Sequence, residues 1–85
     1  MVRTPVSQTR LDILEWLKEP GLAATGATAD AVAARFGMPL PVATTHLRLL
    51  AAIGLLRTGT LAGRPHYRRD EMRIAEVARM FEKGW

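Results

Sequence analysis

A chain of 85 residues makes one small domain, residues 1–85, and its 48% hydrophobic and 24% charged residues exclude a disordered or low-complexity chain. It has no cysteine, which excludes disulfides and thiolate metal ligation. The net charge of +4 is concentrated: residues 1–30 and residues 70–85 each hold three bases and four acids, whereas residues 31–69 hold six arginines and no acid, the pattern of a surface that meets a polyanion.

The chain opens without the apolar core of a secretory signal. Its longest strongly apolar run, Leu49 to Leu56, is too short for a bilayer. A cytoplasmic location with no membrane partner follows by default. Thr4 and Pro5 predict the cap and first position of a helix. In it Ile13, Leu14 and Leu17, with Val6 and the stem of Arg10, form a buried stripe. Pro20 and Gly21 stop that helix, and the small, uncharged run from Pro20 to Ala27 reads as a loop. A short second helix starts at Thr28 as cap, with Asp30 in its first turn. Val32, Ala33 and Phe36 face inward, and Gly37 supplies a left-handed stop. After Met38-Pro39-Leu40, Pro41 opens a third helix, because a residue preceding proline is pushed out of helical geometry. This helix runs to about Ile53 and ends at Gly54, and the short turn before it matches helix-turn-helix spacing. Residues 55–60 and 65–69 then alternate as strands around Leu61-Ala62-Gly63-Arg64, a hairpin turn with glycine at positive φ. A last helix spans 70–83, with Gly84 and Trp85 as its cap.

The third helix has two faces. Ala43, Leu47 and Leu50 point inward, with His46 and Ile53 at the edge. Pro41, Thr44, Thr45, Arg48, Ala51 and Ala52 point outward, free of acids and large aliphatics. Small residues let a helix approach the floor of the major groove, threonines can donate to phosphates, and Arg48 can fork onto guanine. The same residues also suit a plain solvated helix face. His46, beside the buried stripe, suits a scaffold hydrogen bond rather than catalysis or ligation. On the hairpin, Arg64 at the tip and Arg68 on the return strand can reach phosphates or a narrow minor groove, joined by His66 when protonated. Blunting an edge strand would need only one or two such charges. Tyr67 alternates with them and reads as core.

These segments resemble ArsR-type winged-helix transcriptional regulators. The resemblance rests on the run from Thr28 to Gly37 and on Val42-Ala43-Thr44-Thr45-His46-Leu47-Arg48-Leu49-Leu50 continuing to Gly54-Leu55-Leu56. It extends to the wing-like Gly63-Arg64-Pro65-His66-Tyr67-Arg68 and the upstream Thr9-Arg10-Leu11-Asp12-Ile13-Leu14. It implies a mostly α fold with a small β-hairpin: a three-helix core, a two-stranded wing and a C-terminal helix. It also implies a homodimeric repressor that reads an inverted repeat in double-stranded DNA near a promoter. The family's DNA-facing serines correspond to Thr44 and Pro41, its adjoining position to Thr45, and its basic residue to Arg48. With Thr28, Arg64, His66 and Arg68 these make the expected DNA contacts. Pro39 stands where the family caps the reading helix with serine or aspartate, which implies a reshaped turn. The last helix has acids but no histidine, so a metal-sensing member is not implied, and no cofactor is expected.

The last helix carries a stripe of Ile74, Val77, Ala78, Phe81 and Trp85, with Ala75 at its edge and Met72 and Met80 on its polar side. Adaptable methionines suit an interface, so a two-fold dimer is expected to use Met72, Ala75, Val77, Met80 and Phe81 with part of the first helix. An enzyme is not indicated: there is no phosphate-cradling glycine loop, and Ser7 is the sole serine. The competing reading is a winged-helix interaction module whose arginines meet an acidic protein.

Overall fold

Local punctuation accounts for most of the element boundaries. The computed structural model describes residues 5–82, with side chains over residues 8–80. Its elements are α1 (Pro5–Trp16), α2 (Pro20–Thr25), α3 (Ala29–Phe36), α4 (Leu40–Ala52), β1 (Leu56–Leu61), β2 (Arg64–Arg69) and α5 (Glu71–Glu82). The architecture is a winged helix-turn-helix: helices, a two-stranded antiparallel wing and a trailing helix. The expected Thr4 cap, the side chains of Val6 and Phe81, and the Gly84–Trp85 cap lie outside the described residues.

The stretch after α1, expected as a loop, is a helix. Pro20 occupies its first turn after Glu19, where a missing N–H costs nothing, and the Ala23 N–H donates to the Glu19 carbonyl at 2.7 Å. Alanines favour the turn, and no apolar stripe announces it because none of its residues is buried. Gly26 ends it at φ +82°, its N–H donating to the Leu22 carbonyl. Ala27 and Tyr67 then exchange two backbone hydrogen bonds of 2.9 Å, a rung that stitches the segment to β2. A Cβ on Gly26 would lie 2.7 Å from the Tyr67 carbonyl oxygen, so this close approach requires glycine.

Helix α3 starts as expected: the Thr28 Oγ1 accepts the Ala31 N–H at 3.1 Å, and Gly37 closes the helix in the left-handed region. Helix α4 starts one residue earlier than expected. Leu40 is helical, and Pro39 is the cap without any side-chain hydrogen bond. The first-turn N–H groups have no intrahelical acceptors, and no carbonyl four residues back stands within the helix to meet the ring of Pro41. A proline in that turn therefore does not exclude its predecessor. The hairpin is tighter than expected. Leu61 pairs with Arg64 across a two-residue Ala62-Gly63 turn whose φ values, 54° and 77°, are both positive, the twist that suits antiparallel strands. Asp70 caps α5 rather than beginning it, its carboxylate accepting the Arg73 N–H at 3.1 Å.

The core is assembled from Ile13 and Leu17 of α1, Val32 of α3, Ala43, Leu47 and Leu50 of α4, then Leu56, Tyr67 and Ala27. Trp16 packs edge-on against Phe36 at 5.8 Å. Ile53, expected at the edge of the inward face, is exposed instead, since the helix ends there and the chain turns away at Gly54.

Candidate nucleic-acid interface

On α4 the inward stripe is as expected, and Pro41, Thr45, Arg48 and Ala52 are exposed, with Thr44 and Ala51 half-buried. Thr44 and Arg48 stand one turn apart on one face. The threonine hydroxyls are not free donors: Thr44 donates to the Leu40 carbonyl at 3.0 Å and Thr45 to the Pro41 carbonyl at 2.9 Å. Each side chain keeps its oxygen lone pairs and methyl group for a partner. Large aliphatics are also exposed on α4, against the expectation of a small-residue surface. Leu40 flanks the wing, and Val42, Leu49 and Ile53 recur along the other flank. One buried stripe occupies only part of a helix circumference, which leaves both flanks open. With Arg10, Pro41, Thr45 and His46, Val42 and Leu49 line a trough of about 320 Å³ between α1 and α4.

His46 is buried, and its Nδ1 has no hydrogen-bond partner among the described residues. Burial, and then the nearby Arg10 charge, lowers its pKa below the ordinary 6.5, so the ring is neutral at pH 7. The scaffold hydrogen bond expected of it is absent at that nitrogen. It serves the core as a flat, neutral side chain.

The interval without acids in the sequence is not without acids in space. Arg64 forms an ion pair with Asp30 of α3, the residue immediately before that interval. Arg69 is only 12% exposed and makes no external contact: its guanidinium donates to Glu71 at 2.7 Å and to the Leu14 carbonyl at 2.7 Å. That hydrogen bond holds the Glu71 carboxyl below its ordinary pKa. Arg35 lies 5.2 Å over the Phe36 ring and shares a hollow with Asp12, Glu15 and Glu19.

Arg48, Arg57 and Arg68 remain, exposed and without an ion-pair or hydrogen-bond partner among the described residues. Arg57 was not singled out from sequence, although register gives it prominence. It sits directly opposite Arg68 across the hairpin, where like charges destabilise a sheet. A pair of unpaired guanidiniums held side by side is the arrangement an anion relieves. The alternation of the hairpin would have revealed this pair once the turn was known to hold two residues.

The structure gathers Thr28, Thr44 and Arg64 around a hollow of about 200 Å³ that also contacts Asp30, Leu40 and Pro65. His66 and Arg68, which alternate with Tyr67 along β2, line a second hollow of about 330 Å³ with Ala24 and Thr25 of α2. His66 Nδ1 is 3.0 Å from the Arg64 carbonyl oxygen. Wing residues thus border two hollows, one at the α3–α4 corner and one beside α2.

Helix α5 has no buried residue among those described. Ile74 and Val77 are half-buried, Ala75 is exposed, and Met72 and Met80 are 81% and 52% exposed. Leu11 of α1 is also exposed. Among the described residues no group of three or more His, Asp or Glu side chains gathers as a metal site would require. No helix among them is long and apolar enough to cross a membrane.

A family model described as a helix-turn-helix domain matches residues 7–59. That span takes in most of α1, all of α2 to α4 and the start of β1. The chain is also similar to an uncharacterized HTH-type transcriptional regulator, YbzH, of Bacillus subtilis (strain 168). The two are 27% identical over 82 residues, with 85% of this chain and 82% of the relative covered.

Proposed function

The chain belongs to the helix-turn-helix domain family, and from that premise we propose that it is a sequence-specific, double-stranded-DNA-binding transcriptional regulator of the ArsR type that acts as a dimeric repressor. The observation that carries this reading is the set of three acid-free arginines on the reading helix and wing, two of them opposed across the hairpin. Helix α4 enters the major groove with Pro41, Thr44, Thr45 and Arg48 toward the bases. Thr28 and the α3 start meet the phosphate backbone. The wing, through Arg57, Arg64, His66 and Arg68, lies along the flanking groove. The similarity to an HTH-type transcriptional regulator supports the DNA-binding, regulatory part of this reading.

Selection of bound duplexes from a random pool, followed by titration, tests it. Arg48→Ala is expected to cost about 1–3 kcal/mol of base discrimination at one position, because a bidentate guanidinium contact is lost. Arg57→Ala and Arg68→Ala are expected to weaken all duplexes alike, each lowering the salt slope by about 0.9. A protein whose affinity ignores all three changes is not a DNA reader of this kind. A protein with no preference for any duplex is the interaction module instead.

The exposed Met72, Ala75 and Met80 and the half-buried Val77 of α5, together with Phe81 and the exposed Leu11 of α1, supply the surface for a two-fold dimer. Such a dimer places two α4 helices roughly 34–36 Å apart, one DNA turn, over an inverted repeat. Repression then follows from occupying promoter DNA. Sedimentation at micromolar concentration should give twice the monomer mass, and Met80→Glu should shift it to monomer. Monomer alone, with and without DNA, rules the dimer out.

A further inference from the structure

An acid at the centre of a DNA-facing corner needs a reason. Asp30 stands in the first turn of α3 with its carboxylate paired to Arg64, and both side chains are more than half exposed, at 54% and 59%. Thr28, Leu40, Thr44 and Pro65 border the same hollow. The carboxylate therefore lies inside the ring of residues that the proposed function sets against the duplex. Helix α3 does not depend on it for capping, because Thr28 already accepts the Ala31 N–H. An exposed ion pair of this kind contributes little to stability, so it opens readily for a competing anion. A phosphate is such an anion, since its oxygens match the same guanidinium fork.

We propose that Asp30 is an affinity-limiting positioning residue: it occupies the guanidinium of Arg64 as an internal phosphate mimic, and the DNA backbone must compete with it for the wing tip. This inference rests on the DNA-binding reading above. Backbone contacts are the sequence-independent part of binding. Restraining one of them lowers affinity for random DNA and leaves a larger share of the total to the base contacts of α4. The wing also rests in a defined place, tied to the first helix of the helix-turn-helix, before DNA arrives.

The test is a titration of random-sequence duplex at several salt concentrations with the wild type, Asp30→Asn, Asp30→Glu, Arg64→Ala and the Asp30→Asn/Arg64→Ala double variant. Glu19→Gln, an exposed acid removed from this hollow, is the control for net charge. Asp30→Asn should bind about three- to tenfold more tightly at low salt, with a slope steeper by about 0.9, one extra phosphate neutralised. The slope increment alone shrinks that advantage about 3.5-fold between ~50 and ~200 mM salt. Asp30→Glu should behave as wild type, and the steeper slope should vanish in the Arg64→Ala background. Unchanged or weaker binding by Asp30→Asn overturns the proposal, because the carboxylate then only braces the arginine in the complex. An equal gain from Glu19→Gln, or a gain that survives without Arg64, overturns it as well by reducing the effect to net charge. If the wild type binds no duplex, the functional reading itself fails and this inference with it. If the wild type binds and Asp30→Asn binds no tighter, only this inference fails.

Discussion

Replacing Leu47 with alanine is expected to destabilise the domain by about 2–5 kcal/mol. Leu47 is fully buried, in one cluster with Ile13, Leu17, Val32 and Leu50. Truncation removes three carbons from an apolar site and leaves a cavity that the surrounding close-packed helices can only partly close. A chain of this length has a total stability on the order of 4–13 kcal/mol at ~0.05–0.15 kcal/mol per residue. The loss is therefore a large fraction of the whole. Urea denaturation followed by circular dichroism should show a lower midpoint at an unchanged slope. Leu49→Ala, two positions along and 46% exposed, should cost less than about 1 kcal/mol by the same measurement, because most of its side chain is already in water. Equal losses at the two positions would mean that α4 does not present Leu47 inward, and the placement of Arg48 on the opposite side would fail with it.

Gly26→Ala is the second large effect, and it reaches the wing. The added Cβ would lie 2.7 Å from the Tyr67 carbonyl oxygen and 2.9 Å from its carbon, and these are backbone atoms that no rotamer change moves. The residue also sits at φ +82°, ψ 177°, a region open essentially to glycine alone, with a cost of about 1–3 kcal/mol for other residues. Relief requires the Ala27–Tyr67 rung to separate, at about 0.5–1.5 kcal/mol for each of its two hydrogen bonds. The expected result is a lower melting temperature, fast amide exchange at Ala27 and Tyr67, and weaker duplex binding as β2 loses its anchor to α2. Gly59→Ala, with nothing within 4 Å of the new Cβ, should leave the melting temperature nearly unchanged. A Gly26→Ala protein that melts with the wild type would show that the hairpin is not held by this contact.

Both predictions concern how the reading surface is held in place, and the proposed contacts depend on it differently. Arg48 is positioned by a helix whose buried face is set by Ala43, Leu47 and Leu50. Arg57 and Arg68 are positioned by a hairpin held by the buried side chains of Leu56 and Tyr67, the Tyr67 rung, the tie of Arg69 to the Leu14 carbonyl, and the Asp30–Arg64 pair. Base discrimination should therefore survive wing lesions that abolish much of the total affinity.

Elements whose signals are local could be read from the chain before it folded. Thr28, Gly37, Gly54 and Gly63 act on the backbone within a few residues of themselves, so these caps, stops and the hairpin were legible from neighbours alone, whereas Asp70, read as the first residue of the last helix, is its cap. The inward stripe of α4 was legible for the same reason, since helical period is a property of one segment. Helix α2 escaped because six residues without a buried side chain carry no periodicity. Which charges meet, by contrast, was settled by packing. Arg64 and Asp30 are 34 positions apart, and Arg69 and Leu14 are 55 apart. Arg57 becomes the neighbour of Arg68 only through a register that one residue more in the turn would have shifted. Coulomb interaction depends on distance through space. A tally of bases and acids along the chain could find the cationic region but not the three arginines in it that remain free to bind.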